Sequence, residues 1–193
     1  MKDKMQVKDY ITVGVVLAIY FIGFNFIAGA LVAISSKFLF VAQGACSLIL
    51  APLYMLFIAK VQKKWAILIF GVVMVTLVFI ATGGAWPVLF GYVGVIIAEF
   101  VSRSGNYRSF LKNNIAYIFF SYWSLGLLLV YYFMGENVLK TAGLTDQQII
   151  DWMQAITIRN LVLGIVIIAL CSFVGGLIGR AMLKKHFERA GIA

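Results

Sequence analysis

Long runs of apolar side chains, separated by short basic segments, limit what this chain can fold into more than any other feature. A helix rises about 1.5 Å per residue, so a ~30 Å hydrocarbon core takes roughly 20 apolar residues per crossing. Runs near that length lie at about residues 10–34, 38–59, 65–82, 86–102, 114–134 and 158–182. In 193 residues they leave short connections and no room for a second, soluble domain. Hydrophobic residues make up 63% of the chain and charged residues 12%, far from the balance of a soluble fold. The expected fold is an all-α integral membrane protein, one transmembrane domain over residues 1–193 with six transmembrane helices.

The net charge of +9 does not point to nucleic acid, because the Lys and Arg residues lie between the apolar runs rather than on one polar face. They read as topology signals. With a cytoplasmic N-terminus, the inside segments hold Lys2, Lys4, Lys8, Lys60, Lys63, Lys64, Arg103, Arg108, Lys112, Arg180, Lys184, Lys185 and Arg189. The outside holds Lys37, Lys140 and Arg159, a split of thirteen to three that fails if any one helix is dropped. Both termini are therefore expected inside. The basic start and Ala28-Gly29-Ala30 resemble a signal peptide, but the apolar run from Ile11 is too long for one and reads as a retained first helix.

Asn25 and the small residues Ala28, Gly29 and Ala30 are expected to loosen the outer part of helix 1 into a loop. Pro87 suits the first turn of the fourth helix. The one long connection, Gly135 to Thr157, is expected outside and carries its own helix over about 146–157. Thr145 and Gln148 form a capping box, Leu144 and Ile149 the staple, and Ile149, Ile150, Met153 and Ile156 recur at helical spacing. Such a segment is either a lid over an outward-facing pocket or a plain interfacial helix.

Catalysis within a membrane needs paired acids, a Ser/His or Cys/His set, or metal ligands at matched depth, and the sequence offers none. No catalytic residue and no metal site are assigned, no phosphate-loop motif occurs, and an enzyme is disfavoured. His186 stands in the basic tail, while Cys46 and Cys171 lie in apolar runs and read as packing residues. Glu99 is the one acid well inside a span. It is either functional or half of an ion pair with Arg103, four residues on.

Lipid supplies no hydrophobic drive between helices, so close approach of small residues replaces it. Gly14-x-x-x-Ala18, Gly29-x-x-x-Ala33 and Gly175-x-x-x-Gly179 have that spacing, and internal packing accounts for any of them. At the outer end, Trp86, Phe90, Tyr92, Trp123, Tyr131, Tyr132, Met153, Arg159 and Asn160 converge. They suit a pocket for a flat or ring-containing ligand, although an interfacial aromatic belt accounts for Trp86, Tyr131 and Tyr132 equally well. Arg159 is placed to meet a ligand carboxylate, or else to pair with Glu136, Asp146 or Asp151.

Ala98-Glu99-Phe100, Gly105-Asn106-Tyr107-Arg108-Ser109, Ala116-Tyr117, Phe120-Ser121-Tyr122-Trp123 and the ending Lys185-His186-Phe187-Glu188-Arg189-Ala190-Gly191-Ile192 resemble the Trep_Strep group, also called the MptD family. That group resembles the substrate-binding S components of energy-coupling factor (ECF) transporters, and the likeness covers essentially the whole chain. It implies an S-component-like bundle in the bacterial cytoplasmic membrane, a multi-pass subunit that captures a nutrient from outside. It also implies as partners a transmembrane coupling protein and two ABC ATPases, with release inward when the subunit topples. In S components an A-x-x-x-A motif on helix 1 docks the coupling protein. Here Gly14 replaces the first Ala and Ala18 matches the second.

The same likeness implies a small-molecule substrate and no intrinsic cofactor. Haem, or another tetrapyrrole, is the first candidate as the transported ligand, with Arg159 or Lys37 near its propionates and Tyr or Met at iron, since no histidine lies outside. A B vitamin or another small ring compound is the alternative. A metal carrier would need ligands that Met1-Lys2-Asp3 does not supply. Two other classes remain: a stand-alone secondary transporter, which would be expected to show repeats or relay acids, and a membrane scaffold, which needs no pocket.

Overall fold

The computed structural model describes residues 4–141 and 143–189, with side chains as far as Lys185. Lys2, the tail residues 190–192, and the side chains of His186 and Arg189 lie outside the described residues.

Helix α1 (Val7–Ile34) opens on a capping box in which the Gln6 amide donates to Asp9 Oδ2 at 2.8 Å. Val13, Val16, Leu17, Tyr20 and Phe24, at helical spacing, are buried against the bundle, while Ile11, Val15, Ile19, Ile22 and Phe26 face outward. The expected loop at Asn25 to Ala30 does not form. Asn25 donates its side-chain amide to the Phe21 carbonyl at 2.8 Å, and the helix continues to Ile34.

A short 3-10 turn, Ser36–Phe38, leads into α2 (Leu39–Lys60), which holds Pro52. Proline has no N–H, so the Leu48 carbonyl one turn earlier loses its helical donor. Helix α8 (Ile158–Arg189) packs its Gly175 against that carbonyl, where an added Cβ would stand 2.8 Å from the oxygen. One turn on, a Cβ on Gly179 would lie 3.0 Å from Pro52 Cα. The Gly175-x-x-x-Gly179 step is therefore an internal seam between α2 and α8.

Helix α3 (Ala66–Ala81) is apolar throughout but has 16 residues, about 24 Å of rise. It falls short of the expected 65–82 crossing and of a ~30 Å core. Pro87 opens the 3-10 segment Trp86–Phe90, which feeds α4 (Gly91–Ser104). The expected fifth span, 114–134, is longer than its apolar run. Helix α5 (Phe110–Ser121) and α6 (Trp123–Thr141) follow each other with a break at Tyr122. Gly135 does not end the helix, because Glu136 and Lys140 pair at 2.6 Å one turn apart and carry α6 past it. Helix α7 (Asp146–Ala155) stops two residues before the expected 157.

Among the described residues, five segments are long and apolar enough to cross a membrane: Val7–Ile34, Ser36–Lys60, Trp86–Ser104, Phe110–Thr141 and Ile158–Lys185. Their core is aromatic. Phe70 stacks on Phe120 at 5.1 Å, Tyr54 lies 4.5 Å from Tyr117, and Tyr20 meets Phe70 edge-on at 5.6 Å. The Tyr117 hydroxyl reaches the Ser47 carbonyl at 2.6 Å, so this ring keeps a polar partner inside the bundle.

The ends of the bundle differ in charge. Lys4, ahead of α1, and Tyr10 line one hollow with Lys64 and Trp65 before α3, and Gln62 and Arg108 line another with Arg180 and Lys184 of α8. These groups form a basic end. The end of α1, the turn Ser36–Phe38 and α7 come together at the opposite end.

Candidate functional site

At that opposite end a groove of about 580 Å³ lies between the last turns of α1, the 3-10 turn and α7. Gly29, Val32 and Ala33 form the α1 wall, Ser35 and Ser36 the turn, and Gln148, Asp151 and Trp152 the α7 wall. The volume is within the range of small-molecule sites. Gly29-x-x-x-Ala33 is thus not a packing seam: a Cβ on Gly29 would meet nothing within 4 Å, and the missing side chains open the wall.

Helix α7 is held across the groove from both of its ends. The Thr145 amide donates to Gln148 Oε1 at 2.9 Å and the Gln148 amide to Thr145 Oγ1 at 3.4 Å, the expected capping box. At the other terminus the Asn160 side-chain amide donates to the Ala155 carbonyl at 2.7 Å. Between them Trp152 lies 5.3 Å from the Tyr131 ring of α6, and Met153 packs over Gly135 with its sulfur 3.0 Å from where a Cβ would stand. The apolar face is Ile149, Trp152, Met153 and Ile156. Ile150, assigned to that face from sequence, is 50% exposed.

The structure divides the residues that the sequence grouped. Tyr131 and Met153 join Trp152 in the small apolar cluster beneath α7, and Asn160 secures its end. Trp123 is buried in the main core, 4.6 Å from Phe24. Tyr92 shares a hydrogen bond with Thr76 at 2.9 Å. Trp86 and Phe90 are half-exposed on the bundle surface, where Trp86 lies 5.5 Å from Phe133. Arg159 is exposed on the first turn of α8 and does not line the groove, and Glu136, one of its expected partners, pairs with Lys140 instead. Lys37 is exposed and next in sequence to Ser36, and like Arg159 it is not among the lining residues.

In the sequence Gln148 and Asp151 read as a cap and as a partner for Arg159, not as groove residues, and Ser35, Ser36 and Trp152 are not singled out at all. Trp152 alone left a signal, because it falls on the same helical stripe as Ile149 and Ile156.

Gly14 and Ala18 are both exposed on α1, and a Cβ on Gly14 would meet nothing within 4 Å. Unlike Gly175 and Gly179, this small-residue step has no partner within the chain among the described residues.

Glu99 is not the ion-pair partner expected for Arg103. Its carboxylate is fully buried and accepts from the Trp65 amide at 2.8 Å, the Leu68 amide at 3.2 Å and the Tyr107 hydroxyl. It caps α3 from a neighbouring helix, where the positive end of the helix dipole favours an anion. This cap holds Trp65 and Tyr107 at φ 72° and 59°, left-handed backbone that a bulky residue adopts only under constraint. Burial, reinforced by the adjacent carboxylate, pushes the Tyr107 phenol well above its ordinary pKa and keeps it a donor. The Arg103 guanidinium instead sits over the Trp65 ring at 5.4 Å.

A model of the hypothetical bacterial integral membrane protein family Trep_Strep matches residues 7–189, so the chain belongs to that family. No curated protein and no solved structure matches it.

Proposed function

We propose that this member of the Trep_Strep family is the substrate-capturing S component of an ECF-type importer in the bacterial cytoplasmic membrane. The observation that carries the reading is the exposed Gly14 and Ala18 step on α1. Small residues with no internal partner permit close backbone approach by another helix, and the coupling protein is the partner that the family resemblance supplies. The basic end faces the cytoplasm, α3 completes six crossings by drawing on its flanking residues, and the groove beneath α7 faces outward. ATP is hydrolysed by two partner ATPases, and toppling of the bundle delivers the ligand inward.

The ligand is a small ring compound, with haem or another tetrapyrrole as first candidate and a B vitamin as the alternative. The groove's volume and the Trp152 indole on its wall support a flat ligand. Ser35, Ser36, Gln148 and Asp151 are its polar lining, and neither a Tyr nor a Met, the iron ligands expected from sequence, stands among the described lining residues. In this reading α7 is the lid, and Lys37, next in sequence to the lining residue Ser36, is the cation for a ligand carboxylate.

The test is purification of the isolated protein in mild detergent, with mass spectrometry of what it retains and a haemin titration read at the Soret band. A saturable shift weakened by Trp152→Ala and Lys37→Gln supports haem in this groove. A shift that an unrelated membrane protein reproduces removes haem, and retention of a vitamin selects the alternative.

A further inference from the structure

At the basic end a second groove, of about 350 Å³, lies between the end of α2, the α4–α5 connection and the last turns of α8. Its lining combines two chemistries. Arg108, Arg180 and Lys184 bring three cations to it from two separate parts of the chain. Met55, Ile58 and Leu183 give it an apolar wall. Among the described residues, no Asp or Glu lines it.

Two of the cations are held in place by uncharged neighbours. Arg180 lies over the Phe110 ring with its guanidinium carbon 4.4 Å from the centroid. Arg108 donates through Nε to Gln62 Oε1 at 3.3 Å, which leaves its terminal nitrogens to meet an anion. An arginine fork oriented by stacking or by its Nε bond is prepared for phosphate oxygens in two-point contact. The apolar wall continues into the membrane-spanning helices α2 and α8.

We propose that this groove is a binding site for an anionic phospholipid. The phosphate sits between Arg108 and Arg180, with Lys184 beside it, and an acyl chain follows the Met55, Ile58 and Leu183 wall. The argument is one of charge complementarity together with position. Arg108 and Arg180, with no carboxylate among the described lining residues, select an anion, and an apolar wall at the end of membrane-spanning helices selects one that carries hydrocarbon. The inference rests on membrane insertion alone and is independent of the importer reading.

The experiment uses the full chain, delipidated in detergent and presented with phosphatidylglycerol, phosphatidylcholine or inorganic phosphate, with bound lipid counted by native mass spectrometry. Wild type is expected to retain phosphatidylglycerol at near one per chain in preference to phosphatidylcholine. Arg108→Gln with Arg180→Gln should weaken it roughly five- to thirty-fold. Lys4→Gln with Lys60→Gln removes equal charge from the same end outside the groove and should leave retention intact.

Equal loss in both double variants would reduce the effect to diffuse surface charge and overturn the site. Displacement of the lipid by millimolar inorganic phosphate would identify a free-anion site instead. If the groove variant fails to fold, the wild-type comparison decides: no preference for phosphatidylglycerol over phosphatidylcholine refutes the proposal.

Discussion

Glu99→Ala should destabilise the protein more than any other single acidic substitution, and the structure sets the size of the loss. Three buried or half-buried donors, the Trp65 and Leu68 amides and the Tyr107 hydroxyl, share this carboxylate. Removing it strands all of them. An unsatisfied buried donor costs roughly 1–3 kcal/mol, so the loss is about 3–6 kcal/mol after local relaxation. Glu99→Gln keeps one carbonyl oxygen, gives up the charge at the α3 terminus, and should cost about 1–3 kcal/mol. At 2–4 °C per kcal/mol for a chain of this size, the Ala variant should lose on the order of 10 °C in apparent Tm and the Gln variant about half that or less. Thermal unfolding by circular dichroism in mild detergent measures the shift. Amide hydrogen exchange localises it, with the first turn of α3 losing protection before the α2–α8 seam does. An Ala variant within about 2 °C of wild type, with unchanged exchange over α3, refutes the capping role.

Other consequences follow from the same packing. Gly175→Leu should prevent folding, because its side chain must displace the Leu48 backbone and the Ala51 Cβ of α2, whereas Gly14→Leu should leave Tm within about 2 °C; fluorescence-detected size exclusion separates the two. Asn160→Ala removes the side-chain donor on the Ala155 carbonyl and should raise exchange across α7 by roughly five- to tenfold, with α2 and α8 unchanged. Thr145→Ala should cost about 1 kcal/mol at the other end of α7 and speed proteolysis there, read as an earlier first cleavage between α6 and α8.

The helical membrane architecture was legible from run length alone, and the capping box at Thr145 and Gln148 from residue spacing. The boundaries that failed did so for local reasons. Gly135, Glu136, Asn137 and Lys140 read as a loop because their polarity hides an i,i+4 pair that carries α6 onward. Asn25 reads as a helix breaker until its side chain is seen returning to the Phe21 carbonyl.

Glu99 carried a real signal, as buried carboxylates do. Its partner was misassigned because spacing within one helix cannot reveal a donor pair 31 and 34 residues away on α3. The aromatic site set was gathered by shared depth, and depth does not say which way a ring points: Trp123 turns into the core, Trp86 to the surface, and Tyr131 beneath α7. Groove residues such as Ser35 and Gln148 are ordinary cap and turn residues in sequence, made into a lining only where α7 comes against the turn that follows α1.

The most direct test of the importer reading is affinity purification of the tagged chain from its native membrane, with identification of what accompanies it. A membrane coupling protein and two ABC ATPases should come with the wild-type chain in fixed ratio. The Gly14→Leu, Ala18→Leu double variant should be recovered folded and alone. A wild-type chain that purifies without ATPases, or a variant that keeps them, would contradict docking through this face of α1.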